Sequence, residues 1–256
     1  MKRLRHNNYD AFNAEVSNLK RFSEKDHVHL IKLLVTFTWR EQFYLIFPWA
    51  DGNLLDFWKM NAQPSDPKRD RKMALWFSEQ CLGIVQGLEM IHTADRPSTD
   101  DLSTAADHPI HGRHGDLKPE NILWFKPWQN THQSGFGVFK ISDFGLTRFH
   151  GTQSKSHFET VAVSPTYRPP EYDIAAMVSQ SYDIWTLGCV LLEFITWYLR
   201  GWKGVDGFSK KRTTDDNREI PEDVFFNFVK IRDNDGMIPG ARAKLSVANV
   251  RRPAIH

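Results

Sequence analysis

Apolar positions along the 256-residue chain recur with two different periods, and the changes of period mark out its elements. In residues 9–22, Phe12, Val16 and Leu19 share one face, which predicts a helix with Asn7 or Asn8 as its cap. Glu15 falls either on that same inward face, where a carboxylate needs a partner because burying an unpaired charge is expensive, or at the edge of the apolar stripe. Residues 30–37 and 42–47 are rich in β-branched and aromatic types, and the Arg40-Glu41 link between them predicts an antiparallel pair. Pro48 ends the second strand. Met73, Phe77, Cys81, Ile84, Leu88 and Ile91 step by three or four and predict an amphipathic helix over 73–91.

Residues 93–108, rich in Asp, Ser, Thr and Pro, have the pattern of a polar surface insertion. A second polar loop, 129–137, separates strands predicted at 122–125 and 138–141. The most apolar helix is predicted at 184–198, with Leu187, Leu191 and Ile195 on one line. After Arg200 the pattern weakens, apart from an amphipathic patch at 224–231, and there are no internal repeats. A small strand-and-helix part followed by a larger helical part predicts an α+β protein with a cleft between lobes.

Composition changes this picture little. A content of 41% hydrophobic and 25% charged residues is ordinary for a soluble globular protein. A formal net charge of +2 gives no reason to expect nucleic acid or an anionic membrane as the main partner. The basic groups Lys210-Lys211-Arg212 and Arg251-Arg252 are expected to be solvated surface. Cys81 and Cys189 sit within helical apolar patterns and are expected to be buried free thiols in a reducing compartment. The N-terminal charges are followed by no apolar run, and the apolar stretch 184–199 contains Glu193 and is short for a bilayer. A cytoplasmic or nuclear location is the expectation.

Three segments carry chemistry: His114-Gly115-Asp116-Leu117-Lys118-Pro119-Glu120-Asn121, then Asp143-Phe144-Gly145, then Pro169-Pro170-Glu171. In that order they resemble the H-R-D-L-K-P-E-N, D-F-G and A-P-E segments of eukaryotic protein kinases, departing in the first only at Gly115. The residue types suit phosphoryl transfer, which asks a protein mainly to position groups and neutralise charge. Asp116 would orient or accept the proton of an attacking hydroxyl, and Lys118 would reach the transferring phosphate. Asn121 and Asp143 offer hard oxygen ligands for Mg2+, and Gly145 gives the backbone freedom to turn beside the metal.

The resemblance implies a bilobal protein-kinase-like fold that moves the γ-phosphate of ATP, with Mg2+, to a serine or threonine of a protein substrate. It implies an incomplete β-rich N-lobe over 1–50 and a helical C-lobe over 51–256, and a monomer without nucleic-acid or membrane partners. Within it, Lys2 matches the phosphate-binding lysine and Glu15 its helix partner. Phe47 resembles the gatekeeper, and the Pro48 carbonyl and Ala50 amide match the hinge groups that pair with adenine. Ser164 matches the substrate-loop residue, and Asp183 the aspartate that ties the catalytic loop to the following helix. Lys118 and Ser164 favour serine/threonine over tyrosine.

Within the resemblance, the run HGDLKPENILWF is similar to fungal kinase-like proteins. No G-x-G-x-x-G loop precedes Lys2 in this sequence, which begins in what should be the third strand. Gly115 stands where many kinases carry the arginine that grips a phosphorylated activation segment. Phosphorylation of Thr152, Ser154, Ser156 or Thr160 is therefore expected to change activity little.

Two other functions fit parts of the sequence. A truncated kinase or pseudokinase would act as a non-catalytic protein-binding scaffold. A metal site would use His27 and His29, or His108, His111 and His114, although zinc usually asks for four well-spaced N or S ligands. His114 is better explained as the structural histidine of the catalytic loop.

Overall fold

The computed structural model describes residues 1–4, 9, 12–13, 16–17, 19–20, 26–64, 70–93, 112–127, 135–143, 164–175, 179–233 and 236–249. The chain forms two compact units, one of Met1–Phe57 with Ala74–Ser154 and one of Trp58–Met73 with Lys155–His256.

In the first unit, β1 (Lys2–Arg3), β2 (Val35–Trp39) and β3 (Gln42–Ile46) form an antiparallel sheet in the order β1-β3-β2. Arg40 and Glu41 turn the β2–β3 hairpin with φ of 47° and 59°, the left-handed pair that matches strand twist in a two-residue loop. This sets the register Phe37↔Tyr44, whose rings stack at 4.8 Å. The described residues from Tyr9 to Lys20 are helical, and Phe12, Val16 and Leu19 are buried as their spacing predicts. Phe12 stacks on Phe43 at 4.3 Å, fixing this helical face to the sheet. Glu15, Asn7 and Asn8 lie outside the described residues.

The strand predicted at 30–37 begins only at Val35. Upstream, the chain is occupied elsewhere: Ile31 N–H donates to the Ile141 carbonyl and Ile141 N–H to that of His29. That ladder ties it to a second sheet, β4 (Gly52–Asn53), β5 (Ile122–Phe125) and β6 (Val138–Ile141), ordered β4-β5-β6. Helix α1 (Leu54–Met60) starts from a reciprocal cap, since Asp56 N–H donates to Asn53 Oδ1 and Asn53 N–H to Asp56 Oδ2.

Helix α2 (Arg71–His92) is capped by Asp70, which accepts from Met73 N–H at 2.9 Å. Its buried stripe runs through Met73, Trp76, Gln80, Ile84, Leu88 and Ile91, so Trp76 and Gln80 take the inward places expected of Phe77 and Cys81. The reason is specific bonding. Gln80 Oε1 accepts from Phe139 N–H, and Trp76 Nε1 donates to the Gly137 carbonyl. Phe57, Trp76 and Phe139 form an aromatic core beside β5 and β6, each ring worth about 2–3 kcal/mol of burial.

The second unit is organised by helix α4 (Gln180–Thr214), which follows the short α3 (Pro170–Ala175). The helix predicted at 184–198 runs to a kink at Gly201, whose φ of 68° is non-helical, so α4 is two helices that meet at this residue. At the break, Trp202 N–H donates to the Ala62 carbonyl instead of within the helix. The patch at 224–231 becomes β7 (Phe226–Asp233), paired with β8 (Gly236–Ala243) in a hairpin that leads to α5 (Leu245–Ala248).

One surface expectation is overturned here. Lys210 and Lys211 are exposed, but Arg212 is fully buried. It lies over the Phe208 and Phe225 rings at 4.3 and 4.2 Å and pairs with Glu193 and Asp223. Cys189 is buried and Cys81 half-buried, both as free thiols. Among the described residues no helix is long and apolar enough to cross a membrane.

Candidate active site

The first unit holds a cavity of about 420 Å³ lined by Lys2, Phe47, Pro48, Ala50, Asn121 and Asp143, with Leu19, Ile31 and Leu123 supplying apolar surface. β1 delivers Lys2, the end of β3 leads into Phe47–Ala50, and the antiparallel pair β5–β6 puts Asn121, before β5, and Asp143, after β6, at the same end of the ladder. Among the described residues, none bonds to the Pro48 carbonyl or the Ala50 amide.

The catalytic-loop segment is locked by a closed circuit of bonds. His114, fully buried, accepts at Nδ1 from Asp116 N–H (3.2 Å), so its Nε2 carries the proton donated to the Ser142 carbonyl (2.8 Å). Ser142 donates from N–H and Oγ to the Asn121 carbonyl, both at 2.9 Å. Asn121 Nδ2 returns to Asp116, at 2.8 Å to its carbonyl and 3.0 Å to Oδ2. Lys118 Nζ reaches the same Oδ2 at 2.7 Å. His114 is thus the structural histidine expected from the sequence. Ser142 was not singled out there; its only signal is its place immediately before Asp143.

Pro119 opens a short 3-10 turn over Pro119–Asn121 that carries the chain from this loop into β5. Gly115 has φ 83°, a conformation in which glycine carries no Cβ penalty, so the departure from the kinase pattern suits the local backbone. Asp143 adopts φ 63°, a conformation that costs a non-glycine residue on the order of 1–3 kcal/mol and concentrates at functional sites.

Lys2 Nζ pairs with Asp143 Oδ1 at 2.8 Å, both side chains more than a third exposed. Such an exposed pair is worth about 0–1 kcal/mol. Asn121 commits its amide nitrogen to Asp116, which leaves Oδ1 as its acceptor. With the Asp143 carboxylate this makes an oxygen donor set that fits Mg2+.

The remaining candidates belong to the second unit or fall outside the described residues. Ser164 lies in the second unit, at the start of the 3-10 turn Pro165–Tyr167. Asp183 is buried in the first turn of α4. Glu15, Phe144, Gly145, Thr152, Ser154, Ser156 and Thr160 fall outside the described residues, as do His108 and His111.

His29 is engaged structurally. Its Nδ1 bonds the Phe139 carbonyl at 2.8 Å, its N–H donates to His27 Nδ1, and its ring packs against Gly83 of α2. Burial lowers its pKa to about 4. Among the described residues no group of three or more His, Cys, Asp or Glu side chains is set to hold a metal.

Comparison with known proteins identifies the family. The family described as "Protein kinase domain" matches residues 1–224. Cyclin-dependent kinase 7 of Dictyostelium discoideum is 29% identical over 203 residues, 77% of this chain and 46% of that protein. A putative receptor-like protein kinase of Arabidopsis thaliana is 30% identical over 182 residues, 70% of this chain and 18% of that protein. Homeodomain-interacting protein kinase 1 of Caenorhabditis elegans is 28% identical over 188 residues, 72% and 19% of the two chains. This chain therefore spans less than half the length of these relatives. With the family matched along most of its length, the chain belongs to the protein kinase family.

Proposed function

We propose that the chain transfers the γ-phosphate of ATP to a serine or threonine hydroxyl of a protein substrate. The observation that supports this is the bonded circuit Asp116–His114–Ser142–Asn121, which ties the Asp116 loop to Asn121 and Ser142, two residues that line the same cavity as Lys2 and Asp143. Asp116 orients the acceptor hydroxyl and takes its proton. Lys118, bonded to Asp116, places a positive charge where the transferred phosphoryl group gains negative charge. Lys2 binds phosphate oxygens, and the Pro48 carbonyl and Ala50 amide, lining the same cavity, pair with adenine. Asn121 and Asp143 would hold Mg2+, which when bound neutralises charge on the phosphates. Lys118 and Ser164 support a serine/threonine preference.

The test compares wild type with Asp116→Asn for phosphate transfer from Mg-ATP to a mixed library of serine, threonine and tyrosine peptides. Transfer should fall ~10²–10⁴-fold while the thermal shift given by Mg-ATP persists. Equal transfer by both proteins would sink the catalytic assignment. A nucleotide shift without transfer in wild type would favour the non-catalytic scaffold.

A further inference from the structure

Residues beyond 224 lie outside the span matched by the family, yet they contribute a fully buried cation. Lys244, between β8 and α5, has a side chain with no exposed surface. Its Nζ donates to the Arg212 carbonyl at 2.7 Å and the Glu222 carbonyl at 3.1 Å, and pairs with Asp216 Oδ1 at 3.1 Å. Asp216 in turn accepts from Glu222 N–H at 2.7 Å, so Lys244 and Asp216 together grip both backbone groups of Glu222. A lysine that fills its three donor positions on two carbonyls and a carboxylate leaves none for a ligand.

From this point two bonded routes run to neighbouring residues of one segment. Along the first, Glu222 Oε2 accepts from Arg168 Nη2 at 2.8 Å, and Arg168 Nε bonds Asp173 at 2.9 Å. Along the second, Arg212 Nη2 bonds Glu193 Oε1 at 2.6 Å, and Glu193 Oε2 accepts from Tyr167 OH at 2.7 Å. Arg212 is held at its other end by Asp223, at 2.6 Å from Nε. Both routes end in the stretch Ser164–Arg168, whose own short turn, Pro165–Tyr167, shows no side-chain cap.

We infer that the C-terminal hairpin is a brace for the substrate-facing segment Ser164–Arg168, with Lys244 as its positioning residue acting through Glu222–Arg168 and Arg212–Glu193–Tyr167. The substrate-facing role of that segment rests on the proposed kinase function; the bracing does not. The partner of the braced segment is the polypeptide carrying the acceptor hydroxyl. Loosening the brace should weaken that partner's binding and leave nucleotide binding alone.

The test uses the full chain with Lys244→Met, which keeps the aliphatic stem and removes the cation, and Glu222→Gln, which removes the charge that Arg168 meets at 2.8 Å and Arg218 at 3.7 Å. Hydrogen exchange of peptides covering 164–172 should quicken about tenfold in Lys244→Met and about threefold in Glu222→Gln, with 187–198 unchanged. Should Lys244→Met fail to fold, Glu222→Gln decides by the same measurement. Exchange at 164–172 within twofold of wild type, or faster exchange spread evenly over the chain, would overturn the brace.

With the serine and threonine peptide library as acceptor, KM for peptide should rise about tenfold in Lys244→Met, with KM for ATP within twofold. A parallel rise in both, or an unchanged peptide KM, would also overturn it. Wild type lacking Asp116-dependent transfer would remove the kinase function instead, and the exchange measurement would still decide the brace.

Discussion

Arg212→Met is the most informative perturbation of stability. Methionine keeps most of the stem and its contact with Phe208 and Phe225 but removes the guanidinium that meets Glu193 at 2.6 Å. Glu193, with a side chain 4% exposed, then keeps only the Tyr167 hydroxyl as a described partner. Breaking a buried pair from one side costs about 3–5 kcal/mol, because a charge is stranded out of water. Loss of the guanidinium over two aromatic faces adds about 1 kcal/mol.

The sum, about 4–6 kcal/mol, corresponds to a fall in melting temperature of roughly 10–20 °C for a chain of this size. Burial already raises the Glu193 pKa above its ordinary value, with Arg212 opposing the shift; without Arg212 the rise grows. A carboxyl whose folded pKa lies above its unfolded one binds more protons when folded. Its variant is therefore most stable at low pH and loses stability as pH rises through the raised value.

Urea unfolding followed by tryptophan fluorescence at pH 5, 6.5 and 8 reads both effects. The deficit against wild type should be smallest at pH 5, and Glu193→Gln added to Arg212→Met should restore more than half of it at pH 8. A single variant within about 1 kcal/mol of wild type at pH 8, or a deficit independent of pH, would refute the stranded-charge argument.

Two more outcomes follow from local geometry. Gly137 has φ 85°, and a Cβ there would fall inside contact distance of the Phe125 carbonyl oxygen, so Gly137→Ala should cost about 2 kcal/mol or more in a thermal or urea melt. His29, with its pKa lowered from 6.5 to about 4, contributes stability that is present above pH 6.5 and lost as pH falls towards 4. His29→Asn should therefore flatten the pH dependence of the melting temperature across that window, and an unchanged slope would show that His29 does not carry it.

The elements best legible in the sequence were those whose local chemistry agrees with their surroundings. The Arg40-Glu41 turn, the helix over α2 and the strands β5 and β6 needed only periodicity and turn residues. The catalytic-loop segment was legible because its residues lie together in the chain. What escaped depends on partners distant in sequence. Trp76 and Gln80 displaced Phe77 and Cys81 from the buried stripe of α2 because Gly137 and Phe139 supply their bonds. Arg212 gave the pattern of solvated surface, as any Lys-Lys-Arg run does, since its partners Glu193 and Asp223 lie 19 and 11 residues away. Strand β8 was blurred by Pro239 and Gly240, residues that strands usually avoid.

The bonded circuit through His114, Ser142 and Asn121 has a consequence for how the enzyme would cycle. Because each link holds backbone as well as side chain, the loop carrying Asp116 and the strand end carrying Asp143 cannot drift independently. On the proposed function, thermal breathing that admits or releases a nucleotide would therefore fall on the 47–50 stretch, whose Pro48 carbonyl and Ala50 amide bond to no described residue. If the chain turns over as proposed, the acidic floor would stay set between turnovers, and each new round would begin without rebuilding it.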